Sequence, residues 1–315
     1  MTSASELKLD KHLCRRKEEV LTYYRSRAEE SLSEITQTFG SQQYQKRATA
    51  VNEAVANTRD RLFATLRQVA SIQKWTKEEL LANLLMLFYC SSITMLEYRN
   101  GVWPYEYMTF SRRVGELWQR FCALCFEYSI RDDGRLFTPP LFRDVQKSLA
   151  REIGDYINNL PLTPEQKKDL MRYYDKVWSL VTSGEINLEL DVHFQIADIK
   201  YVIDLKSGFS SNEKGNTNRL LLVASIYKNV EREHYRCLMF VRQKEDENNH
   251  YLQILKNSGL WEVSCSHEGY DQMKLLSGFD VQSWMEGHMD WNNDLSAESL
   301  EDFKSRNLLR YLKWS

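Results

Sequence analysis

The clearest structural pattern in this 315-residue chain lies in the stretch Glu185-Ile-Asn-Leu-Glu-Leu-Asp-Val-His-Phe194, followed by Gln195-Ile-Ala-Asp-Ile-Lys-Tyr-Val-Ile-Asp-Leu-Lys206. Apolar and polar residues alternate from 186 to 194, which is typical of a half-buried β-strand. If Ala197 and Asp198 form the turn, the two segments make an antiparallel hairpin in which the numbers of paired residues sum to 395.

This register brings two carboxylates side by side. Asp191 lies opposite Asp204, and Glu189 lies opposite Lys206, with Cβ atoms about 4.5–5.5 Å apart. Like charges placed opposite each other destabilise a sheet, so a divalent cation would account for the arrangement. Mg²⁺ is usually held by one or two carboxylates together with substrate phosphate. Lys206 would then stabilise a transition-state phosphate or orient the attacking water.

Asp191, followed thirteen residues later by Asp204-Leu-Lys206, resembles the signature of the PD-(D/E)xK nuclease superfamily. The chain departs from the signature at Leu190, where a Pro is typical. The resemblance implies an α+β (mixed α/β) fold with a restriction-endonuclease-like mixed β-sheet core flanked by helices. It also implies Mg²⁺-dependent cleavage of DNA, with one or two Mg²⁺ ions per active site, held by Asp191, Asp204 and the backbone carbonyl of Leu205.

A helix upstream of the hairpin often supplies a further acidic residue in the resembling family. Residues 111–128 predict an amphipathic helix, and Glu116 lies at the edge of its apolar stripe, directly after Gly115. Glu116 is therefore the candidate for a catalytic role beside Asp191, Asp204 and Lys206. A pairing of Glu116 with Arg113 or Arg120 at helical spacing is the alternative. Two other acidic residues remain open for the same role: Glu185 and Glu189.

A polar segment after the hairpin, residues 207–218, is suited to contact a phosphate backbone, and a helix is predicted from Arg219 to about residue 230. Backbone amides and Ser, Asn, Lys and Arg side chains are the usual donors to phosphate. Basic side chains after a predicted strand at residues 235–241 could read base edges. The candidate DNA-binding residues are Ser210, Asn212, Lys214, Asn216, Asn218, Arg219, Arg242 and Lys244. The alternatives are a flexible surface loop and a solvated hairpin tip.

The first 180 residues or so predict helices almost throughout, over about 7–39, 44–72, 76–98, 111–128, 141–158 and 165–180. Thr76-Lys-Glu-Glu79 resembles a capping box, and residues 100–104 predict a turn. We therefore expect a large helical N-terminal region over residues 1–110, for recognition or dimerisation. Residues 111–315 would form the catalytic core with its C-terminal elaboration.

The composition, with 43% apolar and 27% charged residues, is ordinary for a soluble globular protein. No run approaches the roughly 18 apolar residues of a membrane span, and the start of the chain lacks the apolar region of a signal peptide. Both features predict a cytoplasmic protein without a membrane partner. Cys122 and Cys125 lie in an apolar run, so core thiols are favoured over a zinc site. The net charge of −2 neither supports nor excludes a basic cleft.

Among nucleases, a stand-alone chain of this size resembles a type II restriction endonuclease of a restriction-modification system. The resemblance implies double-stranded DNA cut to 5′-phosphate and 3′-hydroxyl ends. A palindromic target would require a homodimer, and the chain lacks the P-loop motif that would indicate a nucleotide cofactor. The alternatives are a structure-specific nuclease, such as a junction resolvase or repair nickase, and a non-enzymatic helical DNA-binding or scaffold protein.

Overall fold

The computed structural model describes residues 7–40, 42–181, 186–210, 212–230 and 234–314. Its α-helices within these ranges are α1 (Lys17–Thr38), α2 (Tyr44–Gln73), α3 (Lys77–Val102), α4 (Tyr107–Glu127), α5 (Phe142–Asn159), α6 (Pro164–Val181), α7 (Lys214–Lys228), α8 (His250–Asn257), α9 (His267–Ser277), α10 (Val281–His288), α11 (Trp291–Asp294) and α12 (Ala297–Ser305). Its strands are β1 (Gly134–Leu136), β2 (Val192–Ile196), β3 (Ile199–Lys206), β4 (His234–Val241) and β5 (Glu262–Cys265). The mixed α+β class predicted from the sequence is confirmed.

The five strands form one mixed sheet in the order β1-β2-β3-β4-β5. The first three are antiparallel neighbours, whereas β4 lies parallel to β3 and β5 parallel to β4. Such parallel connections need a crossover, and α7 and α8 lie in the two connecting segments. The basic segment after β4 is therefore part of a crossover, and the hairpin-tip alternative is wrong.

The hairpin register is confirmed. Val192 pairs with Ile203 and Ile196 pairs with Ile199, so the paired numbers sum to 395, and Ala197 in the turn has a φ of 49°. Strand β2 is shorter than expected, because residues 186–191 lie outside the ladder. Glu185, which precedes the predicted strand, lies outside the described residues.

The predicted alternation holds before β2, where Leu188 and Leu190 are buried and Asn187, Glu189 and Asp191 are exposed, but it fails within β2 because His193 is buried as well. The central strands are buried on both faces. One face, with Phe194, Ile203 and Leu205, packs into a large core shared with α1–α4 and the C-terminal segment. The other face, with Val202 and Met239, packs against α7 and α8. The two crossover helices, α7 and α8, thus cover one face, and the N-terminal helices with the C-terminal segment cover the other.

The helical predictions for the N-terminal half hold closely. Thr76 begins α3 with a reciprocal capping box, in which its hydroxyl accepts from Glu79 N–H (3.1 Å) and the Glu79 carboxylate accepts from Thr76 N–H (2.9 Å). Helix α3 continues to Val102, so the turn predicted to begin at Asn100 starts later. The predicted first helix begins only at Lys17, after a short 3₁₀ turn at residues 13–15.

Helix α3 is long and apolar enough to cross a membrane, which corrects the expectation that no such segment exists. However, 83% of its most apolar window is buried inside the protein. This burial is consistent with the core helix of a soluble protein.

Residues of both predicted regions, 1–110 and 111–315, share the large core. Asp294, buried near the C-terminus, links them further: its carboxylate pairs with Lys17 of α1 (2.8 Å) and accepts from the Tyr89 hydroxyl of α3 (2.7 Å).

Candidate functional site

Asp191 and Asp204 meet at the end of the β2–β3 ladder. Asp191 lies one residue before β2, and its Oδ2 accepts a hydrogen bond from the backbone N–H of Leu205 (2.7 Å). Asp204 lies in β3 with 2% of its surface exposed, and its Oδ2 lies 3.4 Å from Lys206 Nζ. The hairpin therefore groups the three residues that the sequence singled out.

Burial of Asp204 is energetically unfavourable for its ionised form. Desolvation raises the pKa of Asp204 to about 6, Lys206 opposes this rise, and the negative charge of Asp191 adds to it. The pKa of Asp191 is also raised, because surrounding protein atoms displace water from its carboxylate, although the residue as a whole is exposed. Two carboxylates with raised pKa values at one place are typical of a functional site.

Three cationic side chains act on this carboxylate pair. Lys206, Arg219 and Arg120 each lower the pKa of Asp191 electrostatically, against the larger effect of desolvation. Arg219 begins the second turn of α7, and Arg120 lies on α4, so the positive charge comes from helices on opposite faces of the sheet. Arg219 was expected near the site, whereas the sequence suggested Arg120 only as a partner for Glu116.

The donor set fits a magnesium ion. Asp204 Oδ2 is buried and has no hydrogen-bond partner among the described residues, apart from its ion pair with Lys206. No group of three His, Cys, Asp or Glu side chains suited to a metal occurs in the described ranges. Mg²⁺ nevertheless needs only one or two carboxylates, with water and substrate phosphate completing its shell. Asp191 and Asp204 would hold the ion.

Helix α4 packs closely against the end of β3. A Cβ added to Gly115 would lie 2.8 Å from Ser207 Oγ and 3.2 Å from Ser207 Cβ, so a larger residue at this position would force Ser207 to shift. The Gln119 side-chain amide then donates a hydrogen bond to the Leu205 carbonyl. A carbonyl oxygen has two lone pairs, so this contact orients the group and leaves one lone pair for a ligand. The sequence missed Gln119; its place one turn after Gly115 was the available signal.

Glu116 forms ion pairs within its own helix. Its carboxylate lies 3.0 Å from Arg112 Nε and 3.3 Å from Arg113 Nη1, at the spacing of ordinary helical pairs. The pairing alternative for Glu116 is therefore realised through Arg113 and Arg112. Of the two other candidates, Glu189 is exposed and lies beyond the ladder, and Glu185 lies outside the described residues.

Two cavities are lined by residues of the candidate site. Lys206, Glu116 and Gln119 line a cavity of about 760 Å³, together with the exposed side chains of Tyr107 and Met108. Asp191 and Glu189 line a second cavity of about 400 Å³.

The candidate DNA-binding residues divide into two groups. Helix α7 begins at Lys214, earlier than predicted, so the polar loop is shorter than expected. The exposed members near this helix are Ser210, Asn212, Lys214, Asn218 and Arg219. Asn216 is half-buried and donates to Glu213 (2.9 Å).

Arg242 and Lys244 follow β4 and differ in environment. The Arg242 guanidinium donates to the carbonyls of Tyr311 (2.9 Å) and Lys313 (2.5 Å), and its burial lowers its pKa. Lys244 is exposed. Arg242 therefore holds the C-terminal segment in place through these hydrogen bonds. Lys244 is the more exposed of the two side chains.

The neutral imidazole ring of His193 holds the segment that directly precedes Asp191. Its Nε2 accepts a hydrogen bond from Leu190 N–H (2.9 Å), which requires an unprotonated nitrogen. Burial lowers the pKa of His193 to about 4, in agreement with this state. His193 thus holds the segment that leads into the site.

Cys122 and Cys125 are fully buried free thiols within α4, which confirms their assignment to the core.

Comparisons with family models, with curated proteins and with solved structures found no match to this chain.

Proposed function

We propose that this protein is a Mg²⁺-dependent, site-specific double-stranded DNA endonuclease of the type II restriction kind. The observation that carries the proposal is the meeting of Asp191, Asp204 and Lys206 at one end of a buried hairpin. Like-charged carboxylates at such a place are unfavourable without a cation, and the pKa of Asp204 is raised mainly by burial and further by the charge of Asp191. The mixed sheet with helices on both faces, which the resemblance implies, is further support.

The residues of the site have separable roles in this proposal. Asp191 and Asp204 bind the metal, with the Leu205 carbonyl held in place by Gln119. A bound Mg²⁺ would lower the pKa of a water nucleophile and stabilise charge on the phosphate. Lys206 orients that water or stabilises the developing negative charge, since its ammonium lies beside Asp204. The exposed Arg120 and Arg219 attract the DNA backbone.

The test is cleavage of a defined plasmid by the wild type and by Lys206→Ala. We expect discrete fragments with Mg²⁺, none with Ca²⁺ or with Mg²⁺ plus EDTA, and a rate at least about 10²-fold lower for Lys206→Ala, because the variant lacks a cation at the reacting phosphate. Lys200→Ala is the matched control: Lys200 lies on the same strand and face as Lys206, but beside Phe137 and Tyr235 at the other end. It should cut at the wild-type rate.

The other possible outcomes distinguish the restriction-type nuclease from its alternatives. A smear of fragments that requires Mg²⁺ and Lys206 would support nuclease activity but contradict the cleavage at specific sites that a restriction enzyme performs. Cutting only of branched or supercoiled DNA would favour the structure-specific alternative, a resolvase or repair nickase. If the wild type cuts no linear, supercoiled or branched DNA, the proposal is wrong, and a non-enzymatic DNA-binding or scaffold role gains support. If Lys206→Ala cuts as fast as Lys200→Ala, the proposed site is wrong, because Lys206 then takes no part in cleavage.

A further inference from the structure

Helices α5 and α6 form a hairpin that packs mainly on itself. Helix α5 buries only Phe142, Val145 and Ile157, and none of the described side chains of α6 is buried. Both helices are nevertheless strongly amphipathic, a property that normally indicates a covered face. The hairpin therefore carries more apolar surface than the single chain covers.

The exposed apolar side chains of the hairpin form a continuous stripe along α6. Leu170, Tyr173 and Val177 recur at steps of three and four, so they share one side of the helix, and they are 39%, 57% and 61% exposed. On α5, Tyr156 is 67% exposed. The neighbouring side of α6, with Lys167, Met171 and Tyr174, is half-buried. One edge of the apolar face thus contacts protein, and the other meets water.

The charges of the hairpin favour a second copy over DNA. Within residues 142–181 there are seven basic residues and six acidic residues, which gives a net charge of +1. A surface for DNA would be strongly cationic, and a surface for a highly charged protein would carry the opposite sign. An interspersed mixture of both signs is compatible with a surface that contacts its own copy across a two-fold axis.

The area also agrees with a dimer. A standard interface buries about 800 Å² per partner, and about 65% of a homodimer interface is apolar, which requires roughly 500 Å² of apolar surface. An aromatic side chain brings about 150–250 Å² when buried. Tyr156, Tyr173, Val177, Leu170 and the 48% exposed Leu141 together therefore offer surface on the order of 500 Å².

We propose that the α5–α6 hairpin is the surface through which two copies of this chain form a symmetric dimer. Tyr173 and Val177 lie at its centre. The proposal rests on exposure, charge and area and is independent of the proposed nuclease activity. If that activity is also present, the dimer supplies one hydrolytic site for each DNA strand.

The test is sedimentation equilibrium of the full-length protein without DNA, for the wild type and for the double variant Tyr173→Glu/Val177→Glu. We expect a wild-type dimer at micromolar concentration. The double variant should show a dissociation constant at least about 100-fold higher, because buried aromatic anchors dominate interfaces and the new carboxylates would face each other. Ile72→Glu, at a 73% exposed apolar residue at the end of α2, places a single carboxylate on a different surface and should dimerise like the wild type.

A folding control accompanies the measurement: circular dichroism should show the same helix content for all three proteins. A wild type that is monomeric at 100 micromolar would overturn the proposal, as would a folded double variant that dimerises like Ile72→Glu. These outcomes are read without DNA, so they are distinguishable from a failure of the nuclease proposal.

Discussion

Replacing Asp204 with Asn is expected to stabilise the metal-free protein at about pH 8 by about 1–3 kcal/mol, while it lowers DNA cleavage by about 10³-fold or more. The stabilisation has a physical reason. Asp204 is buried with a pKa raised to about 6, compared with about 3.9 in an unfolded chain. Folding therefore favours the protonated carboxyl, and the ionised form at neutral pH carries a penalty that an uncharged amide avoids.

The pH dependence of this gain follows from the same shift. A pKa difference of about 2 corresponds to about 3 kcal/mol, an upper bound, since the amide must find its own hydrogen bonds. Below about pH 4, Asp204 is protonated in both the folded and the unfolded protein, so no penalty exists there. As the pH rises through about 6, Asp204 ionises in the folded protein, and the free energy of unfolding of the wild type falls by the cost of burying that charge. The advantage of Asp204→Asn should therefore be absent at about pH 4 and complete above about pH 7.

Urea unfolding across this pH range, with and without Mg²⁺, measures both effects. Mg²⁺ should raise the stability of the wild type, because the ion offsets the repulsion of Asp191 and Asp204, and it should have little effect on Asp204→Asn. Asp198→Asn, at the exposed hairpin turn, is the matched control, with a change within about 0.5 kcal/mol. A destabilised Asp204→Asn at about pH 8 would contradict the assignment of Asp204 as an unfavourably buried carboxylate.

Replacing Asp294 with Ala is expected to destabilise the protein by about 3–5 kcal/mol. Asp294 is 2% exposed, and its carboxylate accepts from Lys17 Nζ, the Tyr89 hydroxyl and Asp290 N–H (3.0 Å). Removal of this carboxylate leaves the partly buried ammonium of Lys17 and the buried hydroxyl of Tyr89 without their shared acceptor. Because Asp294 links α1 and α3 to the C-terminal segment, the loss should loosen the contact between both halves of the chain.

Chemical unfolding of Asp294→Ala measures this effect. Asp60→Ala is its control, since Asp60 pairs with Arg59 at the surface with 63% of its side chain exposed, and such pairs contribute about 0–1 kcal/mol. Asp294→Asn should lie between the two, because the amide keeps an acceptor for Tyr89 but loses the charge that faces Lys17. Equal unfolding midpoints for Asp294→Ala and Asp60→Ala would show that the buried network contributes nothing.

Features that depend on neighbours along the chain could be predicted from the sequence. A capping box spans four residues, so Thr76 and Glu79 were sufficient to locate the start of α3. The hairpin register depends on a two-residue turn, so the local sequence was enough to bring Asp191, Asp204 and Lys206 together. The site itself stays a prediction until cleavage is measured.

Features that depend on distant parts of the chain were decided only by the tertiary structure. The short strand β1 exists because Gly134–Leu136 pairs with β2, nearly 60 residues later, and its own sequence reads as a loop. The Arg242 guanidinium donates hydrogen bonds to the carbonyls of Tyr311 and Lys313. The Gln119 side chain, which lies on α4, donates a hydrogen bond to the Leu205 carbonyl of β3. Burial of Asp204 likewise requires the helices that pack on its face of the sheet, where its partner Met239 contacts the core formed with α7 and α8. Desolvation and long-range hydrogen bonds arise only when such segments pack together, and no local pattern of residues encodes them.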